Sequence, residues 1–259
     1  MRSVFGQITS DCEVVLVDDG STDNSVDQVR RNFSDALHSG QLMLICTENA
    51  GPGAARNTWI QAARGTYIAF LDSDDFILPG CIARILAILS DSAPDIVQFN
   101  VLRVLEDNLS GQHLIACHRP PDGLDKMDAI SSEIFGVGKW FPPSRIFTRK
   151  IILANPFPAE RAFYEGLQLL PFIFFQDVTI FLVVDPLIAY RDNPHGTIRN
   201  HKLEHANTML SLFARFGVLP PSVPCDLTRV QLARSIVFVA LVLRLRKIDL
   251  CDLRNRILW

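Results

Sequence analysis

Three short apolar runs, each closed by a polar turn and followed by a helical stretch, constrain this chain more than anything else in it. Glu13–Asp18 (EVVLVD) runs into DDGSTDNS. Leu42–Thr47 (LMLICT) runs into the small-residue loop Asn49-Ala50-Gly51-Pro52-Gly53. Tyr67–Leu71 (YIAFL) runs into Asp72-Ser73-Asp74-Asp75. Runs of this length that are apolar throughout read as strands buried on both faces. Strands alternating with helices predict an α/β domain with a mostly parallel sheet flanked by helices. Such sheets bind ligands beyond the carboxyl ends of their strands, and both acidic clusters fall at such ends.

The helices between them carry readable boundaries. Asp23 or Ser25 is expected to cap a helix reaching about Leu37, Pro52 to lie in the first turn of a second helix, and Gly65 to cap its end. Pro79-Gly80 is expected to open a third, to about Ser90. Further along, Asp95–Leu105 predicts a long strand, His113–Cys117 a second, 125–135 a helix, and Trp140–Lys150 two prolines followed by a strand-like stretch. In the very apolar segment Leu167–Ala189, Pro171 and Pro186 read as breakers. Helical patterns at 201–216, 226–247 and 249–257 set off a C-terminal region, 200–259, from a domain of residues 1–199.

With 259 residues and 48% hydrophobic content the chain can bury a sizeable core. A net charge of -3 gives no basic field for nucleic acid. The six cysteines show no CxxC pair and no zinc spacing, which predicts free thiols and a reducing, cytoplasmic setting. The segment from Arg234 to Arg244, followed by Arg246-Lys247, reads as a helix packed on the domain or on a partner subunit; its basic ends leave open a peripheral contact with the inner face of a membrane.

Each acidic cluster admits two readings. Asp72-Ser73-Asp74 is a polar turn, or a carboxylate pair for a hard divalent cation that keeps positions open for phosphate oxygens. Asp18-Asp19-Gly20-Ser21 is a turn with a helix cap, or a carboxylate accepting hydrogen bonds from a base or ribose. In Gly51–Asn57 the small residues allow close backbone approach and Arg56 can reach a diphosphate; the plain alternative is a tight turn and a solvated arginine. The loop lacks the Gly-Lys-Ser/Thr of a Walker A motif and the spacing of a dinucleotide GxGxxG.

Taken in order, VLVDDGSTDNS, ENAGPGAARN and GTYIAFLDSDD resemble glycosyltransferase family 2. Trp140 with Ser144–Lys150, and Asp185–Arg191 with Thr197-Ile198, resemble later segments of that family; the likeness spans roughly residues 3 to 200. The resemblance implies a GT-A, Rossmann-like fold. It implies transfer of a sugar, with inversion, from a nucleotide-sugar such as a UDP-sugar to a saccharide or lipid-linked acceptor, a chemistry of surface polysaccharide synthesis. By resemblance Asp18 and Asp19 contact the uracil and ribose side, Arg56 lies near the nucleotide, and Asp72, Ser73 and Asp74 form the DxD segment. Asp74, with Asp72, would hold Mn²⁺ or Mg²⁺.

Two departures stand out. The sequence opens at Met1-Arg2-Ser3-Val4-Phe5, which resembles the end of the family's first helix, so the opening strand expected in the centre of the sheet is not among these residues. In Phe157–Gly166 (FPAERAFYEG) Glu165 matches the family's glutamate, but Gly166 stands where the aspartate base is expected. Glu165 is then the candidate base, with Glu160 and Asp177 as others. The competing readings are a non-catalytic binding protein that keeps nucleotide recognition or only an interaction surface and, from FLDSDD, a haloacid-dehalogenase-like hydrolase. The second fits poorly, because Phe76 stands where that motif has Thr or Val.

Overall fold

The computed structural model describes residues 1–105, 108–118, 121–158, 164–192 and 203–245. The expected alternation opens it: α1 (Arg2–Phe5), β1 (Val14–Asp19), α2 (Ser25–Asn32), α3 (Ser34–His38), β2 (Leu42–Thr47), α4 (Pro52–Ala62) and β3 (Tyr67–Ala69). β1 and β2 are parallel, in register from Val14 opposite Leu42 to Asp19 opposite Thr47. Three local expectations are corrected by tertiary partners. The helix expected to reach Leu37 breaks at Phe33, whose ring lies 5.0 Å from that of Phe5. Asn24 occupies its N-cap position without a side-chain bond, and the Asp23 carboxylate accepts the Ser25 N–H. α4 opens at Pro52 as expected but ends at Ala62, with Ala63 already extended, because the Arg64 and Gly65 N–H groups turn to the carboxylate of Glu13. Glu13 thereby ties the start of β1 to the start of β3.

The second half builds a larger, mixed sheet. Its strands are β4 (Phe76–Ile77), β5 (Ile96–Leu105), β6 (Asn108–Ile115), β7 (Gly123–Lys126), β8 (Arg145–Thr148) and β9 (Thr179–Arg191), with β3 joined at one edge. The order is β3-β8-β5-β9-β4, with β6 on β5 and β7 on β9. β5 and β9 are parallel; the other pairs of this sheet are antiparallel. Pro186, expected as a breaker, sits inside β9 at a shift of register opposite Asn100. The Asn100 side chain satisfies the irregularity: it donates to the Val184 carbonyl at 2.8 Å and accepts the Cys117 N–H at 2.7 Å.

Helices cover both faces. α5 (Cys81–Ser92) and α1 pack on one, through Cys81, Ile85, Ile88 and Val4. On the other, α4, α6 (Met127–Val137), α7 (Arg149–Ala154) and α8 (Glu165–Ile173) enclose a core of Ile60, Phe70, Phe135, Ile152 and Leu170. α9 (Leu203–Gly217) and α10 (Val223–Leu245) pack together and reach Leu167 and Phe172 of α8. Gln231 of α10 donates to the Phe135 and Gly136 carbonyls. No described helix is long and apolar enough to cross a membrane. The expected helix 249–257 lies outside the described residues.

The β1–β2 pair does not join the larger sheet. Between β1 and β3, where the resemblance implies a central strand, lies a slot of about 1430 Å³ lined by Val15, Val17, Trp59, Ile68, Phe70 and Ile85. The Val14 N–H bonds the Gln41 carbonyl on the β2 side. Strand alternation therefore turns the Val15 and Val17 N–H groups toward the slot. Hydrogen exchange tests this directly. The amides of Val15 and Val17 should exchange much faster than those of Val97 and Phe99 inside β5; equal protection would mean that the β1 edge is paired.

Candidate functional site

The carboxyl ends of β1 and β3 open on one end of the slot, and Asp18, Asp19, Ser21, Asn49 and Ser73 line it there. Each acidic residue already has local work. Asp18 accepts the Ser21 N–H at 3.1 Å. Asp19 accepts the Ala50 and Gly51 N–H groups at 2.9 and 2.8 Å, binding the end of β1 to the glycine loop. Gly51 has φ 95°, a conformation that glycine adopts without strain. A carboxylate has about four acceptor positions, so both groups keep capacity for a ligand.

α4 carries Arg56 into the same region. Its side chain is 8% exposed; Nη2 donates to Asp72 Oδ1 at 3.0 Å, and Nη1 lies 3.8 Å from Glu165 Oε2. The guanidinium also stands over the Phe157 ring at 5.6 Å. Nε and Nη1 are buried without a hydrogen-bond acceptor. The fold thus gathers Arg56, Asp72 and Glu165, which lie in three separate motifs of the sequence. Burial raises the Glu165 carboxyl above its ordinary value; Arg56 pulls it down and Asp72 pushes it up.

Ser73 and Asp74 are exposed, and Asp72 is half-buried. Asp75, given no role from sequence, is buried and accepts the Arg191 N–H at 3.0 Å. Its carboxyl is pushed up to about 7, first by burial and then by Asp72 and Asp74, against the Arg191 backbone bond. Among the described residues no three His, Cys, Asp or Glu side chains gather as a metal site. Mg²⁺-type ions need no such cage, since they commonly take one or two carboxylates and complete their shell with water and substrate phosphates.

Gly166 has a reason that the sequence did not show. A Cβ there would lie 2.0 Å from the Trp140 carbonyl oxygen and 2.9 Å from Pro142 Cδ. Trp140 is held in turn by Arg145, which is fully buried between the Trp140 and Phe174 rings and donates to the Phe141 and Lys139 carbonyls and to Ser144 Oγ. No aspartate fits at 166 without moving that backbone. Asp177 is exposed beyond the far end of α8, about 14 Å of helix from Glu165. Glu160 lies outside the described residues.

This architecture, a mixed sheet between helices with an acidic turn at its carboxyl edge, is that of the GT-A glycosyltransferases. It superimposes on residues 1–349 of TarS from S. aureus in complex with UDP-GlcNAc (TM-score 0.62, 16% identity, 90% of this chain and 66% of that one). It also superimposes on the mannosyltransferase PcManGT from Pyrobaculum calidifontis in complex with GDP-Man and Mn²⁺ (TM-score 0.59, 16% identity, 91% and 64%). Glycosyl transferase family 2 matches over residues 1–141, and the chain belongs to that family. An uncharacterised glycosyltransferase of Nostoc is 34% identical over 163 residues, which are 62% of this chain and 48% of that protein. The chain thus spans about half of that relative's length.

Two measurements follow from this geometry. Gly166→Ala should lower stability by about 1–3 kcal/mol, the usual cost of forcing atoms into filled space, and Gly166→Asp should lower it at least as much. Unchanged unfolding midpoints would show the Trp140 turn to be free to move. In metal-free buffer the raised Asp75 carboxyl binds its proton more tightly in the folded state. Stability should therefore fall as pH rises from about 4 to about 7 and then level off. Asp75→Asn should flatten that decline in denaturant titrations run across the window.

Proposed function

We propose that this chain transfers a sugar from a nucleotide-sugar, a UDP-sugar, to a saccharide or lipid-linked acceptor with inversion. The observation that carries the reading is Arg56, buried between Asp72 and Glu165 beside the slot that Asp18, Asp19 and Ser73 line. The nucleoside would enter at the Asp18–Asp19 end. The Arg56 edge without an acceptor would face the diphosphate, where a charge-assisted bond is strongest. Asp74, exposed, and Asp72 are the carboxylates that would hold Mn²⁺ or Mg²⁺, which would neutralise charge on the departing diphosphate. Solved relatives with UDP-GlcNAc, and with GDP-Man and Mn²⁺, support this class of donor and ion.

Glu165 is the proposed base. Its carboxylate takes the proton of the acceptor hydroxyl as that oxygen attacks the anomeric carbon. The bond from that carbon to the diphosphate oxygen breaks, and the nucleoside diphosphate leaves with the electron pair. A carboxyl raised by burial is a stronger base than a solvated one. A second reading, nucleotide binding without turnover, is favoured by Gly166, where a side chain has no room.

Calorimetric titration of UDP with and without Mn²⁺, alongside Asp74→Ala, tests the donor site. Metal-dependent binding lost in the variant is the expected result; no binding to the folded chain would refute the reading. Glu165→Gln should reduce transfer by about 10²–10⁴-fold, the usual contribution of a positioned base, with UDP affinity retained. Transfer unaffected by that change would remove Glu165 from the mechanism.

A further inference from the structure

Asn57 follows Arg56 in the second turn of α4, and none of the chemistry above uses it. Asparagine is a poor residue for a helix interior, since its amide competes for backbone groups. Here the amide is matched on both sides by one distant residue. Nδ2 donates to the Phe157 carbonyl at 2.9 Å, and Oδ1 accepts the Phe157 N–H at 2.9 Å. The pair spans 100 positions of sequence. Phe157 itself is buried, edge-on to Phe70 and beneath the Arg56 guanidinium. One residue further on, the Pro158 carbonyl lies so close to Gly53 that a Cβ there would sit 2.3 Å from its oxygen and 3.7 Å from Glu165 Cγ. Gly53 and Asn57 are one turn apart, on neighbouring positions of one helix face.

We propose that Asn57, seated over the close contact at Gly53, is a positioning residue. It sets the depth at which the Phe157–Pro158 segment lies on α4, and with it the placement of Glu165 against Arg56 and Asp72. It touches neither donor nor acceptor. The role rests on the reading of Glu165 as base, and it adds to that reading a reason for Asn57 beside Arg56. Asn57→Asp is the informative variant. It is nearly isosteric and still accepts the Phe157 N–H, but it sets a carboxylate oxygen against the Phe157 carbonyl. Asn57→Ala removes both bonds.

Three readouts decide it. A misplacement of about 1 Å costs on the order of 10²-fold in rate, so Asn57→Asp should lower kcat by about 10–100-fold. The donor KM and the UDP Kd should stay within about twofold of the parent, because Asp18, Asp19 and the acidic turn lie on segments that Asn57 does not hold. Carbon-13 NMR of glutamate-labelled protein, with Glu165 assigned through Glu165→Gln, should show the Glu165 titration displaced in Asn57→Asp and in Asn57→Ala. An unaltered Glu165 titration overturns the proposal, as does loss of UDP affinity in step with kcat. The titration needs no substrate. A parent chain without turnover would therefore sink the transferase reading while the displaced or unaltered Glu165 curve still decides the role of Asn57. Should Asn57→Ala fail to fold, Asn57→Asp carries the test alone.

Discussion

A guanidinium taken out of water holds this cleft together. Arg56 is 6% exposed, and an ion so buried persists only where counter-charges and hydrogen bonds replace its hydration. Asp72 supplies a bond at 3.0 Å, Glu165 a second charge at 3.8 Å, and Phe157 a ring face. Removing one carboxylate leaves the arginine under-compensated; removing the arginine leaves two carboxylates facing each other. The three therefore stand as a unit. Nε and Nη1 of Arg56 are buried without a hydrogen-bond acceptor, so its charge is met chiefly by Asp72 through Nη2 and by Glu165 at longer range.

α4 is the element through which the unit reaches the rest of the molecule. At its start Asp19 of β1 grips the Ala50 and Gly51 amides; one turn in, Gly53 admits the Pro158 carbonyl; beyond it come Arg56 and Asn57. The β1–β2 pair depends on these attachments more than on a ladder. It is fastened by Glu13 to Arg64 and Gly65 at one end and by Asp19 at the other, with the slot between. The Asp18–Asp19 side of the cleft thus rests on a separate two-stranded sheet, while the Glu165 side is built on the dense core around β5.

What the sequence disclosed follows the range of the forces involved. Runs of apolar residues and Pro52 speak for themselves, so β1, β2, β5 and the opening of α4 fall where they are expected. Gly65, Phe33 and Pro186 read differently because distant partners decide them: Glu13 takes the Gly65 amide, Phe5 meets Phe33, and Asn100 stands opposite the irregular stretch of β9. The site divides in the same way. The motif residues Asp18, Asp19, Arg56, Asp72 and Asp74 were visible, but their pairing was not. The Asn57–Phe157 bond joins segments 100 residues apart. Its one local trace was an asparagine in a helix interior.

Gly166 shows how a departure from a motif can be misread as a simple deletion. Were the position merely missing a side chain, the space for one would remain. Instead the Trp140 carbonyl oxygen lies 2.0 Å from where a Cβ would stand, and Arg145 binds the carbonyls on either side of it, those of Lys139 and Phe141. Successive helical residues point about 100° apart, so Glu165 and position 166 do not share a direction: Glu165 faces Arg56, and 166 faces the Trp140 turn. A carboxylate at 166 would therefore meet backbone instead of an acceptor. The one that α8 brings to the cluster is Glu165, already raised in basicity by burial. On the side of α4 that faces it, Phe157 and Pro158 are seated by the two Asn57 bonds and the close contact at Gly53.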